Sequence, residues 1–256
     1  MELAPRLHLM NWLVSQGLNG LPENDLIRGF CERCRAGGLD LSRGVVFIDT
    51  LHPIFEGRGF RWNDTETNEA DAFDYGSTSA GDAAQNWRRS TFYHMLENGH
   101  DELRIDLADC ASLDFSLIDE LAAKGHRHFV AFVHRFGEAG TLGQMDCVYS
   151  YWLTRRADGF SEQGLSALRD LVPVLGLAIK SAAQVDIART LGRVYLGRDA
   201  SEQVLRGRIS RGVRAHQRRA VVFRSARLDR DQRKHWSRRD HSIPQRLRAS
   251  RDRRHP

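Results

Sequence analysis

Three groups of residues in this 256-residue chain have types and spacings that could do chemistry. The first is Cys31-Glu32-Arg33-Cys34, two thiols three positions apart. A zinc site would need a second ligand pair, and a redox centre a thioredoxin-like strand before it. Cys110 and Cys147 stand far off and singly. On a helix, positions 31 and 34 share a face, so the pair reads as small hydrophobes turned towards a core. The second group is His126, His128 and His134, which share strand parity and so could line one face of a sheet. A metal ion would want a carboxylate or thiol beside them, and no H-E-x-x-H spacing is present. They read as surface or core histidines, with a metal site as the alternative. The third is Phe92-Tyr93-His94. It could be a pocket wall with a polar tip, suited to a small molecule, or an ordinary half-buried aromatic cluster. The sequence has no G-x-S-x-G elbow, phosphate-binding loop or G-x-G-x-x-G turn, so no catalytic residue and no metal ligand is assigned.

Positioning these residues requires a particular run of elements. Residues 7–17 read as a short helix stopped near Gly17 and Gly20. A second opens at Pro22-Glu23-Asn24-Asp25, carries Leu26, Ile27, Phe30, Cys31 and Cys34 on one face, and ends at Gly37-Gly38. Val45 to Ile48 is a buried strand, with Gly59 to Trp62 as its hairpin partner after a loop holding His52-Pro53. Residues 63–89 are polar and read as a long surface excursion. A short helix follows at 91–98, then a strand at 102–107. Next comes a helix start near Asp114, with Ser112 or Asp114 as cap and Gly125 at its end. Strands at 128–136 and 145–154 precede a long helix from Ser161 to about Arg193, bent at Pro173. Asp199 and Glu202 form a capping box for a last short helix. Strands in runs with helices at both ends predict an α+β domain: one antiparallel sheet with flanking helices and a long C-terminal helix.

The net charge of +5 averages two unlike segments. Residues 214–256 carry 15 basic side chains against 4 acidic ones, whereas the preceding 213 residues carry 23 against 29. A mildly acidic body is thus followed by a basic, Arg-rich tail with too few aliphatic residues to offset chain entropy, and disorder is expected there. Its charge would permit non-specific binding to nucleic acid or an acidic membrane, but no recognition fold accompanies it. No window reads as 18–20 uncharged apolar residues, roughly a membrane span. The N-terminus lacks the basic-then-apolar pattern of an export signal. Four cysteines in this length are no disulfide scaffold. A cytoplasmic protein without membrane association is expected.

The order of elements is similar to the GAF domain, a small-molecule sensing module with a central antiparallel sheet. Several strings sharpen the likeness: Trp12-Leu13 with Gly17-Leu18; Gly29-Phe30-Cys31-Glu32-Arg33; Thr50-Leu51-His52-Pro53; Phe92-Tyr93-His94-Met95-Leu96; and Tyr195-Leu196-Gly197-Arg198-Asp199-Ala200 ahead of Val204-Leu205-Arg206-Gly207. Together they resemble the N-terminal regulatory region of bacterial class III adenylate/guanylate cyclases. The resemblance implies a GAF-like sensory domain over 1–190, a helical linker over 191–213, and a catalytic domain after it. It implies a ligand pocket near Phe92, Tyr93 and His94, with Trp152 as a further wall residue, and a small-molecule effector. Class III active sites form between two catalytic domains, so a homodimer through the C-terminal helix is implied, the stretch beyond about Lys180 running past the domain. The family's reaction converts ATP to cyclic AMP and pyrophosphate on two Mg or Mn ions held by aspartates.

This chain departs from that pattern after Val213, where only 43 residues remain and no metal-binding aspartate string follows. The expectation is a truncated chain that needs no cofactor and makes no cyclic AMP alone. One codon choice for Phe223 to Gln232, read one base later, gives Ser-Asp-Leu-Arg-Gly-Ser-Thr, the kind of string that binds the catalytic metals. The tail of 214–256 then reads as a frameshifted remnant of the cyclase domain. The alternative is a stand-alone sensor or interaction protein whose basic tail binds nucleic acid.

Overall fold

The computed structural model describes residues 1–49, 56–65, 71–76, 78, 81–109, 115, 117–137 and 147–207. The tail of 214–256, the His52-Pro53 loop and the caps expected at Ser112 and Asp114 lie outside the described residues. Six antiparallel strands form one sheet in the order β3-β2-β1-β6-β5-β4. They are β1 (Arg43–Asp49), β2 (Gly57–Asn63), β3 (Ala72–Tyr75), β4 (Glu102–Asp106), β5 (His128–Arg135) and β6 (Cys147–Thr154). Seven helices accompany them among the described residues: α1 (Leu3–Asn19), α2 (Glu23–Ala36), α3 (Gly81–Arg88), α4 (Thr91–Glu97), α5 (Ile118–Ala123), α6 (Glu162–Leu196) and α7 (Arg198–Leu205). The α+β architecture expected from the sequence, with its antiparallel sheet and long C-terminal helix, is present.

Alternation along the strands divides the apolar side chains between two layers. Val46 and Ile48 of β1, Val130 and Phe132 of β5, and Val148 and Trp152 of β6 face one side, where α1, α2 and α6 pack. Val45 of β1, Phe129, Ala131 and Val133 of β5, and Tyr149, Tyr151 and Leu153 of β6 face the other, beneath α4 and α5. A sheet covered on both faces reads as continuous apolar runs. All eight residues of β6 are buried.

Helix α6 begins where Ser161 accepts a hydrogen bond from the Gly164 N–H at 3.1 Å. It continues through Pro173 for 35 residues. By length and composition it could cross a membrane, although the sequence showed no such window. Its apolar side is core: Leu165, Leu168, Leu171, Val172, Leu175 and Ile179 are buried. Ala183 and Ile187 are buried too, so the helix packs on the domain well beyond Lys180, where it was expected to leave it. Gly17 of α1 lies against Ala178 of α6, and a Cβ added there would sit 3.0 Å from the alanine's.

Residues 63–89 are not one excursion, since β3 extends the sheet and α3 covers its face. Four alternating residues in β3 and the two turns of α3 are short runs within a polar stretch. Helix α7 starts from Gly197 with no side-chain cap, so Asp199 lies inside the helix and makes no capping box.

Candidate functional site

The site is built on the sheet face away from α6. Phe47 and Asp49 of β1 lie opposite Gly59 and Gly57 of β2, and these lie opposite Phe73 and Tyr75 of β3. With no side chain in the middle strand, the β3 aromatics lie across it. A Cβ at Gly59 would enter the Phe73 ring, and one at Gly57 would enter the Tyr75 phenol. Phe73 therefore reaches Phe47, with ring centroids 5.8 Å apart. The Tyr75 hydroxyl donates to Asp49 Oδ1 at 2.5 Å.

On the other side of β1, Phe47 is opposite Tyr149 and Val45 opposite Tyr151. Phe47 contacts the Phe92 and Tyr151 rings at 5.7 and 6.4 Å, and Phe92 contacts Tyr149 at 5.2 Å. Trp87 of α3 stands over Tyr149 at 5.9 Å. These tilted and edge-to-face contacts fix the rings against one another. They line a cavity of about 920 Å³ that is partly open to solvent, with the sheet as floor, α3 and α4 on the opposite side, and Phe115 and Leu117 on its wall. That volume is within the range of small-molecule sites.

The polar groups gather where β1, β2 and β3 end. Asp49, Glu56, Tyr75 and Thr78 all line the cavity. Thr78 donates to Glu56 twice, from its N–H at 2.5 Å and its hydroxyl at 2.7 Å. Burial, with the Asp49 carboxylate added, pushes the Tyr75 phenol well above its ordinary range, so it remains a donor. Asn86, Arg89, Ser90 and Thr91 line the wall where α3 hands over to α4. Ser90 caps α4 by accepting from the Tyr93 N–H at 3.1 Å.

The four expected pocket residues take different places. Phe92 lines the cavity with Leu96, one helical turn on. Tyr93 and His94 stand one ring behind the lining. Tyr93 packs on Trp87 at 6.2 Å, and His94 on Phe115 at 5.6 Å. Trp152 is on the opposite face of the sheet, fully buried, 5.1 Å from the Phe30 ring. Its indole N–H donates to Ser150 at 3.2 Å, and Gly44 makes room for its ring. Parity is the reason: on β6 the residues that reach the cavity are Tyr149 and Tyr151. Asp49, Glu56, Tyr75, Thr78 and Trp87 were not picked out in the sequence, though the alternation Ala72-Phe73-Asp74-Tyr75 was a signal for β3.

The other chemical groups are dispersed. Cys31 and Cys34 are completely buried in the α2 core, and burial raises both thiols far above the reactive range. His126 bonds Ser42 at 2.8 Å, His128 packs at a tilt on Phe160 at 5.7 Å, and His134 lies 6.1 Å from Phe132. Among the described residues no three His, Cys, Asp or Glu side chains converge as a metal site would require.

An α+β domain with a walled aromatic cavity on one sheet face is the class that fold and site define. No family model matches the chain, and neither does any curated protein. Among solved structures it is similar to the GAF domain of a two-component sensor histidine kinase from Bacillus halodurans, at 10% identity over 63% of this chain and 96% of that one, with a TM-score of 0.45. It is similar to the phycocyanobilin-bound GAF domain of a cyanobacterial phytochrome, at 15% identity over 70% and 96%, with a TM-score of 0.45. The phycoerythrobilin-bound GAF domain of a cyanobacterial phytochrome matches at 14% over 71% and 97%, with a TM-score of 0.43.

Proposed function

We propose that this chain is a GAF-type sensory module that binds a small molecule and passes the event to its C-terminal helix. The observation that carries this is the aromatic cavity of about 920 Å³ and its position in the sheet. Strands β1 and β6 form its floor through Phe47, Tyr149 and Tyr151. The same strands present Val46, Ile48, Val148 and Trp152 to the core shared with α6. A ligand that shifts the floor therefore alters the packing of α6, because close-packed cores transmit strain.

The output we assign is cyclic-nucleotide signalling, with the chain as the input region of a class III adenylate cyclase in the cytoplasm. Support comes from the strings at Gly29–Arg33, Thr50–Pro53 and Tyr195–Gly207. The module works as a homodimer. Among the described residues the exposed large apolar side chains all lie on α1, α6 and α7, including Leu3, Leu7, Val14 and Leu18 of α1 and Leu177 and Val185 of α6. A second copy of the chain would cover them.

The test is a thermal-shift screen of the full chain against a metabolite library, repeated on Ala83→Trp, which puts a bulky side chain on the cavity lining from α3. A genuine effector raises Tm of the wild type and loses most of its effect in the variant. If every stabilising compound acts equally on both, the cavity is not the sensory site. The cyclase assignment is tested separately, on the gene: DNA beyond codon 213 with no cyclase-like reading in the adjacent frame overturns it.

A further inference from the structure

The charge and shape of the cavity lining define a ligand class more narrowly than volume does. Two carboxylates, Asp49 and Glu56, stand at one end, and the rest of the described lining supplies a single guanidinium, Arg89. Neither carboxylate is a loose surface group. Asp49 is held by the Tyr75 phenol, and Glu56 by the N–H and hydroxyl of Thr78. An ionised carboxylate offers about four acceptor positions, and Thr78 uses two of those on Glu56. The same cavity is lined by the rings of Phe47, Trp87, Tyr149 and Tyr151, whose faces are electronegative. An anion entering this end meets like charge from both carboxylates. A cation meets two oriented carboxylates and π faces, both of which attract it.

We infer that the cavity binds a small organic cation: a nitrogen bearing positive charge seats against Glu56 and Asp49, and a flat apolar body lies among Phe47, Trp87, Tyr149 and Tyr151. This rests on the reading of the cavity as the ligand site. A protonated aromatic or heteroaromatic amine has the required chemistry. The carboxylates supply charge-assisted hydrogen bonds, and the rings supply burial for the body.

Three probes with one ring system separate charge from shape: tryptamine (cation), 3-methylindole (neutral) and indole-3-acetate (anion). Each is titrated into the full chain by calorimetry, and each is repeated on Glu56→Gln and Ala83→Trp. Tryptamine is expected to bind about tenfold more tightly than 3-methylindole, the factor of one hydrogen bond to a charged group, with indole-3-acetate weakest. Glu56→Gln should remove most of tryptamine's advantage and leave 3-methylindole unchanged, while Ala83→Trp weakens all three. Equal binding of the three probes, or tightest binding of the anion, overturns the cationic class and leaves the cavity as a ligand site. Binding of none of them, or binding that ignores Ala83→Trp, overturns the cavity reading as well. The wild-type comparison alone decides the charge class, should Glu56→Gln fold poorly.

Discussion

Tyr75 and Asp49 are joined across a strand that separates them: the phenol passes over Gly57 of β2 to donate to the β1 carboxylate at 2.5 Å. A methyl group at Gly57 would enter the phenol and approach the Ile48 carbonyl oxygen to 2.7 Å. Gly57→Ala should therefore expel Tyr75 and open one end of the cavity. The cost should be about 1–3 kcal/mol, as for other over-packed sites. Thermal unfolding and ligand titration check both effects, and an unchanged Tm with unchanged binding would show that the crossing is not tight.

The two faces of β6 should respond differently to truncation. Trp152→Ala empties the α2–α6 core and should cost about 3–5 kcal/mol. Tyr151, 3% exposed in the other layer, should cost stability as well, but Tyr151→Ala also enlarges the cavity and should therefore change ligand affinity by more than Trp152→Ala does. Chemical denaturation beside probe titration separates them; a larger binding defect in Trp152→Ala than in Tyr151→Ala would reverse the assignment of faces.

His126 is 3% exposed and hydrogen-bonded to Ser42, with Arg155 and Arg43 nearby. Burial is the main cause that lowers its pKa to about 4, from an ordinary value of about 6.5, and the neighbouring guanidinium groups add to it. The native state holds the ring neutral, while the unfolded chain takes up a proton below about pH 6.5. Stability from this residue is therefore complete above about pH 6.5 and declines as pH falls towards 4. Urea melts of wild type and His126→Gln from pH 7 to pH 4 check this: the variant should lack that part of the slope.

Leu7→Asp and Leu177→Asp place charge on exposed apolar positions of α1 and α6, which are 48% and 67% accessible. Neither position belongs to the core, so folding should survive. Sedimentation velocity should show the wild type as a dimer and the double variant as a monomer. A wild-type monomer at tens of micromolar would remove the paired arrangement.

Cys31, Cys34 and Cys147 are buried. They should escape maleimide labelling in the native protein and react fully in denaturant, as mass-resolved peptides would show. Rapid native labelling of Cys31 or Cys34 would contradict the buried assignment, since a thiol must be exposed and ionised to react.

The sequence alone determined the elements whose signals are local. Ser161 ahead of an apolar stripe announces α6, Gly37-Gly38 ends α2, and the β-rich run Val45 to Ile48 reads as a buried strand. Caps and periodicity act within a few residues, so they are legible in one dimension. The aromatics Phe92, Tyr93 and His94 were visible, but not which of them faces ligand. That depends on how α4 rolls on the sheet, which is set by residues far along the chain. Trp152 was misplaced because β6 is buried on both faces, and a strand with no polar side has no alternation to reveal orientation. Only the register of three strands brings Asp49, Gly57 and Tyr75 into one row. The cavity's acidic end is made by long-range pairing, which local sequence does not encode.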